Sequence, residues 1–240
     1  MLLPVVFGCG DGGLRWVFVW QGAVMCGIVA VRVAVMVFEF GAVRFRSIER
    51  EDLRLLHVWE NDFWVIMYSR GRPLNFVNMP QLEKMYEEWV KDEKQLHFII
   101  EVVESGEAVG TARLHLHDWG RVRSCDIGAY IGKKELWGKG LGKQVYLGLL
   151  EMAFRQLNVD RCEASSVEYN RRSHKALEAV GFKKIGAFRQ CVFVNGRKWD
   201  DYAFDLLREE YVEQRDALLK RILGDKAEDY VKKHCTIEGF

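Results

Sequence analysis

From Val43 onward, polar and apolar positions recur in regular blocks, and each block predicts an element. Val43-Arg44-Phe45-Arg46 has the two-residue period of a strand. Ser47 and Asp52 bracket a helix start, and residues 49–60 carry apolar side chains at helical spacing. Gly71, Pro73 and Pro80 punctuate a loop. Residues 80–94 predict a second helix, with Leu82, Met85, Tyr86 and Trp89 on one face. Two β-rich runs then flank Glu104-Ser105-Gly106-Glu107, a hairpin signal. Residues 125–132 predict another strand. A glycine-rich turn follows and feeds a long helix whose apolar face includes Val145, Leu149, Met152 and Ala153. Arg161 to Val167 reads as a strand, and Asn170 to Val180 as a short helix closed by Gly181. Two last strands surround Asn195-Gly196, the strongest two-residue hairpin signal. The order β-α-α-β-β-β-α-β-α-β-β predicts an α/β protein: a mixed sheet with helices on both faces.

Residues 1–40 break this pattern. Trp16 to Val31 is sixteen residues without a charge, and Arg32 interrupts the run. A membrane span needs roughly 20 apolar residues, and a signal peptide needs a basic start, whereas the first thirteen residues carry only an acid. Three readings follow: a membrane anchor, a hydrophobic element packed on the domain or a partner, or synthesis that begins at Met36. The third fits best, because the regular pattern begins only at Val43. The expected division is an extension at 1–40, a domain at 41–211 and a charged helical tail at 212–240. The tail reads as a solvated helix suited to homodimer contacts.

Composition narrows the function. A chain of 240 residues buries one sizeable core. With 35 Lys+Arg against 34 Asp+Glu, it lacks the charge excess of a general nucleic-acid binder, and no membrane partner is expected. Six cysteines (Cys9, Cys26, Cys125, Cys162, Cys191, Cys235) are scattered without CxxC or zinc spacing. They read as buried free thiols of a reducing compartment, so a cytoplasmic location is expected. His115 and His117 face the same side of a strand, but no third metal ligand is evident along the chain, and no metal is expected.

The strongest chemical signal is Trp137-Gly138-Lys139-Gly140-Leu141-Gly142-Lys143, between a strand and a long helix. Glycines let the backbone approach a ligand. Unpaired N–H groups and the helix dipole then favour a phosphate, and Lys139 and Lys143 add positive charge. The loop is not a Walker A motif, because Gln144 stands where Ser or Thr is needed, and it fails the GxGxxG spacing of dinucleotide sites.

In its context this loop, with Gly140 and Gly142 at the small-residue positions, resembles the acetyl-coenzyme A loop of the GNAT N-acetyltransferases. Trp137 replaces the commonest Arg or Gln, as in the branch of the ribosomal-protein N-terminal acetyltransferases RimJ and RimL. Asn170-Arg171-Arg172-Ser173 followed by Leu177-Glu178-Ala179-Val180-Gly181-Phe182 resembles that branch's NxxSxxxLExxGF signature. Gly186 to Arg189, then Asn195-Gly196 and Asp200 or Asp201, resembles its closing hairpin. The likeness spans residues 43 to 211.

The resemblance implies the GNAT acyl-coenzyme A N-acyltransferase fold: a mostly antiparallel sheet with one splayed parallel strand pair. It implies acetyl-coenzyme A as cosubstrate, with the amides from Gly138 to Lys143 on its pyrophosphate. The strand Ile127-Gly128-Ala129-Tyr130-Ile131 should pair with pantetheine as another strand would. Ala129 stands where relatives often have an aromatic, and Tyr130 follows it toward the acceptor pocket. Asn170 should cap its helix and bond near the pantetheine. Leu177 occupies the position of the family's usual Tyr acid, which points to Ser173 as general acid. Asp126 is the expected base, with Glu168 a second candidate. The implied reaction is direct acetyl transfer to a primary amine in a ternary complex. The branch implies a protein or peptide N-terminal α-amine. The alternatives are a small amine (amino acid, polyamine or aminoglycoside) or a non-catalytic acyl-coenzyme A-binding module.

Overall fold

A computed structural model of the chain describes residues 5–8, 14–20, 23–25, 36–70, 76–118 and 122–235. The chain divides into two compact units, residues 1–34 and 35–240. In the first unit, β1 (Val5–Gly8), β2 (Leu14–Trp20) and β3 (Ala23–Met25) form an antiparallel three-stranded sheet. Residues 26–35, which include the end of the long apolar run, lie outside the described residues, as do Gly71 and Pro73. No helix of the described residues is long and apolar enough to cross a membrane.

The second unit opens with β4 (Met36–Phe40) and β5 (Val43–Ser47), paired across a tight turn. Gly41 takes φ +62°, and the Ala42 amide donates to Gln144 Oε1 at 2.7 Å. Phe40 is fully buried and meets Tyr230 edge-on, with ring centroids 4.8 Å apart. The unit therefore begins near Val35 rather than at residue 41. Met36-Val37-Phe38 continues the apolar run before it, so no two-residue period marks this strand in the sequence.

A 3-10 turn (Arg50–Asp52) leads into α1 (Leu53–Glu60), α2 (Phe63–Arg70) and α3 (Met79–Lys91). Helix α2 lies in a stretch to which the sequence assigns no element, just before the predicted loop. Its residues are nearly all apolar, so no polar face marks the period. Its start is set by Asp62, whose Oδ1 accepts from the Trp64 and Val65 amides. Pro80 sits in the first turn of α3, where a missing N–H costs nothing. The buried Arg46 guanidinium bridges Asp52 (2.6 Å) and Glu101 (2.6 Å), fastening the start of α1 to the sheet.

Next come β6 (Gln95–Val102), β7 (Ala108–Asp118), β8 (Arg123–Ile131), α4 (Leu141–Glu151), β9 (Arg161–Val167) and α5 (Arg171–Ala179). They are followed by β10 (Lys183–Val194), β11 (Arg197–Leu207), α6 (Arg208–Leu223) and α7 (Lys226–Cys235). The eight strands of this sheet run β10-β11-β9-β8-β7-β6-β5-β4. Asn195 (φ +51°) and Gly196 (φ +72°) form the expected two-residue turn between β10 and β11. Every pairing is antiparallel except β8 with β9.

The tail differs from a solvated helix. Tyr211, Leu218 and Leu219 of α6 and Tyr230 of α7 are buried in the main core. Buried Glu151 accepts two bonds from Arg215 (2.6 and 2.8 Å), one from Tyr230 (2.9 Å) and one from Tyr211. The apolar face of α6 is thus spent on the domain itself, and the high charge of its other residues hid that face in sequence.

Candidate active site

Strands β8 and β9 pair in parallel for only three positions: Ser124 with Arg161, Cys125 with Cys162 and Asp126 with Glu163. Beyond them β8 stays paired with β7 as far as Ile131, and β9 with β11 as far as Val167. The facing edges of Ile127–Ile131 and Ala164–Val167 therefore separate. Both edges line a cleft of about 1310 Å³. Each keeps a row of backbone N–H and C=O groups that needs a partner. An extended ligand with amide groups fits between them as a strand would.

The glycine loop lies at one end of this slot. Gly140 caps α4 with φ +86°, and Gly138 has φ +78°. A Cβ at either position would meet nothing within 4 Å, so these glycines are required by backbone conformation rather than by crowding. The first turn of α4 opens on the cleft through Gly140, Leu141, Gly142 and Lys143. Trp137 donates from Nε1 to the Ile131 carbonyl at 2.7 Å and so ties the loop to the end of β8. Of the predicted site residues, Lys139 and the second candidate base Glu168 are missing from the cleft lining. The sequence reading missed Arg172: its guanidinium lies 4.1 Å from the Trp137 ring centre and 4.5 Å from that of Tyr68. It adds a fixed cation beside the loop. The Arg171-Arg172 pair at a helix start was the available signal.

At the inner end, Asn170 caps α5 by accepting from the Ser173 amide (3.2 Å), and its Nδ2 donates to the Tyr68 carbonyl at 2.7 Å. Both ends of this amide hold structure, so Asn170 positions α5 against α2. Ser173 lines the cleft, as does Tyr146 of α4. Burial pushes the Tyr146 phenol above its ordinary range and keeps it protonated, outweighing the opposing influence of the Ser173 hydroxyl. In sequence Tyr146 stands out only as part of the helix after the glycine loop. Leu177 is fully buried core.

The opposite face of β7 and β8 carries a polar group. Asp126 pairs with Arg113 at 2.7 Å, and its Oδ2 lies 3.7 Å from His115 and 3.5 Å from His117. Tyr130 donates to Oε1 of Glu60, a buried carboxylate of α1, at 2.8 Å. Glu168 is engaged with Asp200 at both backbone and side chain and does not line the cleft. Asp201 does line it. Burial raises its carboxyl above the ordinary range, against a hydrogen bond from Ser165 and the nearby His174.

The family model for the acetyltransferase (GNAT) domain matches residues 42–183. The chain belongs to the GNAT acetyltransferase family. Among relatives of this acetyltransferase is an uncharacterized N-acetyltransferase, p20, of Bacillus licheniformis. It is 30% identical over 167 residues, which span 69% of this chain and 93% of that protein. A putative ribosomal N-acetyltransferase, YdaF, of Bacillus subtilis is 27% identical over 146 residues, 59% of this chain and 79% of that protein. Among solved structures, a spermidine N-acetyltransferase from Vibrio cholerae in complex with coenzyme A and spermine superposes with a TM-score of 0.64. It is 23% identical and covers 71% of this chain and 98% of the other. The mixed sheet with one splayed parallel pair is the GNAT fold, and the protein is an N-acetyltransferase. The reading as a non-catalytic module is set aside.

Proposed function

We propose that this enzyme transfers acetyl from acetyl-coenzyme A to the N-terminal α-amine of a protein or peptide. The observation that carries the cosubstrate is the slot between β8 and β9 ending on the α4 loop. The α4 amides and Arg172 suit a pyrophosphate, and the free edge of Ile127–Ile131 suits the amides of pantetheine. Acetyl-coenzyme A supplies an activated acetyl thioester. Ser173 and Tyr146 stand at the inner end of the slot, with Tyr146 holding the proton that a departing thiolate needs. Asp201, with its raised carboxyl, and Asp126 are the bases placed to accept the amine proton.

The acceptor reading rests on the rim. Ile185, Phe188 and Val192 of β10 line the cleft, and Ile185 and Phe188 are 54% and 65% exposed. An apolar rim of this kind suits the side chains of an extended peptide. The resemblance to the RimJ and RimL branch agrees, as does the likeness to YdaF. A second reading has its own support. Glu60, Asp126, Glu163 and Asp201 all line the cleft, as a polyamine would require, and a spermidine enzyme shares the fold.

Thiol release from acetyl-coenzyme A tests the two. Acceptors are peptides with free or blocked α-amines, beside spermidine and kanamycin. Release only with free α-amines supports the peptide reading. Release only with spermidine replaces it with the second.

A further inference from the structure

We propose that His115, His117 and Asp126 form a binding site for a divalent transition-metal ion of the zinc, cobalt or nickel type. The site shares Asp126 with the proposed acetyl-transfer chemistry, leaves Asp201 as the base when the ion is bound, and revises the expectation of no metal. Along β7, residues two apart share a face, so His115 and His117 project together. The β7–β8 register sets Asp126 directly opposite His115 and Ser124 opposite His117. One donor atom from each of the three residues lies within 4.8 Å of the others. Asp126 Oδ2 is 3.7 Å from His115 Nδ1 and 3.5 Å from His117 Nε2. Those separations exceed hydrogen-bond length. They match donors sharing one ion at about 2.0–2.2 Å, which in a tetrahedral arrangement stand roughly 3.4 Å apart.

The remaining contacts fit the same assignment. Arg113 Nη1 approaches Asp126 Oδ1 at 2.7 Å and Oδ2 at 3.1 Å. The guanidinium thus holds the carboxylate through both oxygens, donating its hydrogen bond to Oδ2, the oxygen that also faces the imidazoles. A fixed outer partner of this kind orients a ligating carboxylate. Two imidazoles with a single carboxylate favour imidazole-seeking metals over hard cations such as magnesium. Three protein ligands leave a fourth position open. Because His117 and Asp126 line the cleft and His115 does not, that position faces the acceptor half. A metal there suits an acceptor with a carbonyl or carboxylate oxygen near its amine.

The probe is cobalt(II) added to the full chain, read by visible absorption. One ion per chain should give the intense d–d bands of a low-coordinate site without the ultraviolet band of a cobalt–thiolate bond. His117→Ala and His115→Gln should each weaken binding beyond the roughly 10–100-fold typical of losing an outer partner, while both variants keep the wild-type circular dichroism. Absence of d–d bands in the wild-type chain, a thiolate band, or unchanged affinity in both variants would overturn the assignment. Magnesium chloride should fail to displace the cobalt; displacement would overturn the stated metal class.

Discussion

Replacing Gly140 by Ala separates the conformational role of the loop from its binding role. Gly140 holds φ +86° at the cap of α4, and a Cβ there meets no atom within 4 Å. The only folding cost is the left-handed backbone, about 1–2 kcal/mol for a residue with a Cβ. For a chain of this size that corresponds to a melting-temperature loss of roughly 2–8 °C. If the loop amides hold a pyrophosphate, relaxation of this cap also misdirects at least one charge-assisted hydrogen bond. Such a bond is worth about 1.5–3 kcal/mol, so coenzyme A affinity should fall roughly 10- to 150-fold. Gly196→Ala is the matched control: its φ is +72°, its surroundings are equally open, and it lies outside the cleft lining. Calorimetric titration with coenzyme A, alongside thermal melts of both variants, reads the two effects separately. Equal affinity losses in the two variants would refute the reasoning.

Three other outcomes are expected. Tyr146→Phe should lower kcat by about 10²–10⁴-fold with little change in the acetyl-coenzyme A KM, because it removes a proton donor and leaves the slot intact; steady-state kinetics with varied cosubstrate measures both. Asp201→Asn should abolish the acidic limb of the kcat/KM profile. Burial raises this carboxyl, so in the parent enzyme activity climbs with pH above the ordinary carboxylate range. Glu151→Gln should cost about 3–5 kcal/mol in denaturant melts, since it removes the buried charge that pairs at 2.6 Å with the Arg215 guanidinium, whose side chain is 13% exposed, and keeps only the longer 3.4 Å pair to exposed Asp216. Burial alone would raise the Glu151 carboxyl, but Arg215, Tyr211 and Tyr230 hold it below its usual value. Its contribution is therefore complete above about pH 4.5 and fades as pH falls through the lowered folded value; the Gln variant should lack that acid-dependent part.

Local signals were legible where they are strong. Asn195-Gly196 fixed the β10–β11 turn because both residues tolerate positive φ. The loop from Trp137 to Lys143 was readable because glycine spacing and a following helix are contiguous in the chain. Helix α2 was not, because an octet apolar but for Ser69 and Arg70 at its end has no contrasting face, and its cap, Asp62, is a single polar residue. Strand β4 was hidden by the apolar run before it. The meeting of Asp126 with His115 and His117 depends on the β7–β8 register, which no spacing along the chain reveals. Tyr146 was obscured for a similar reason: its neighbour Ser173 comes from another helix.

Amide hydrogen exchange with and without coenzyme A tests the central claim most directly. If the parting of β8 from β9 creates the cosubstrate slot, coenzyme A should slow exchange at alternate amides within Ile127–Ile131 and at Gly140 to Gly142. The outer face of the β4–β5 pair should not change. Protection confined to other strands, or none in β8 and the α4 loop at saturating coenzyme A, would contradict the account.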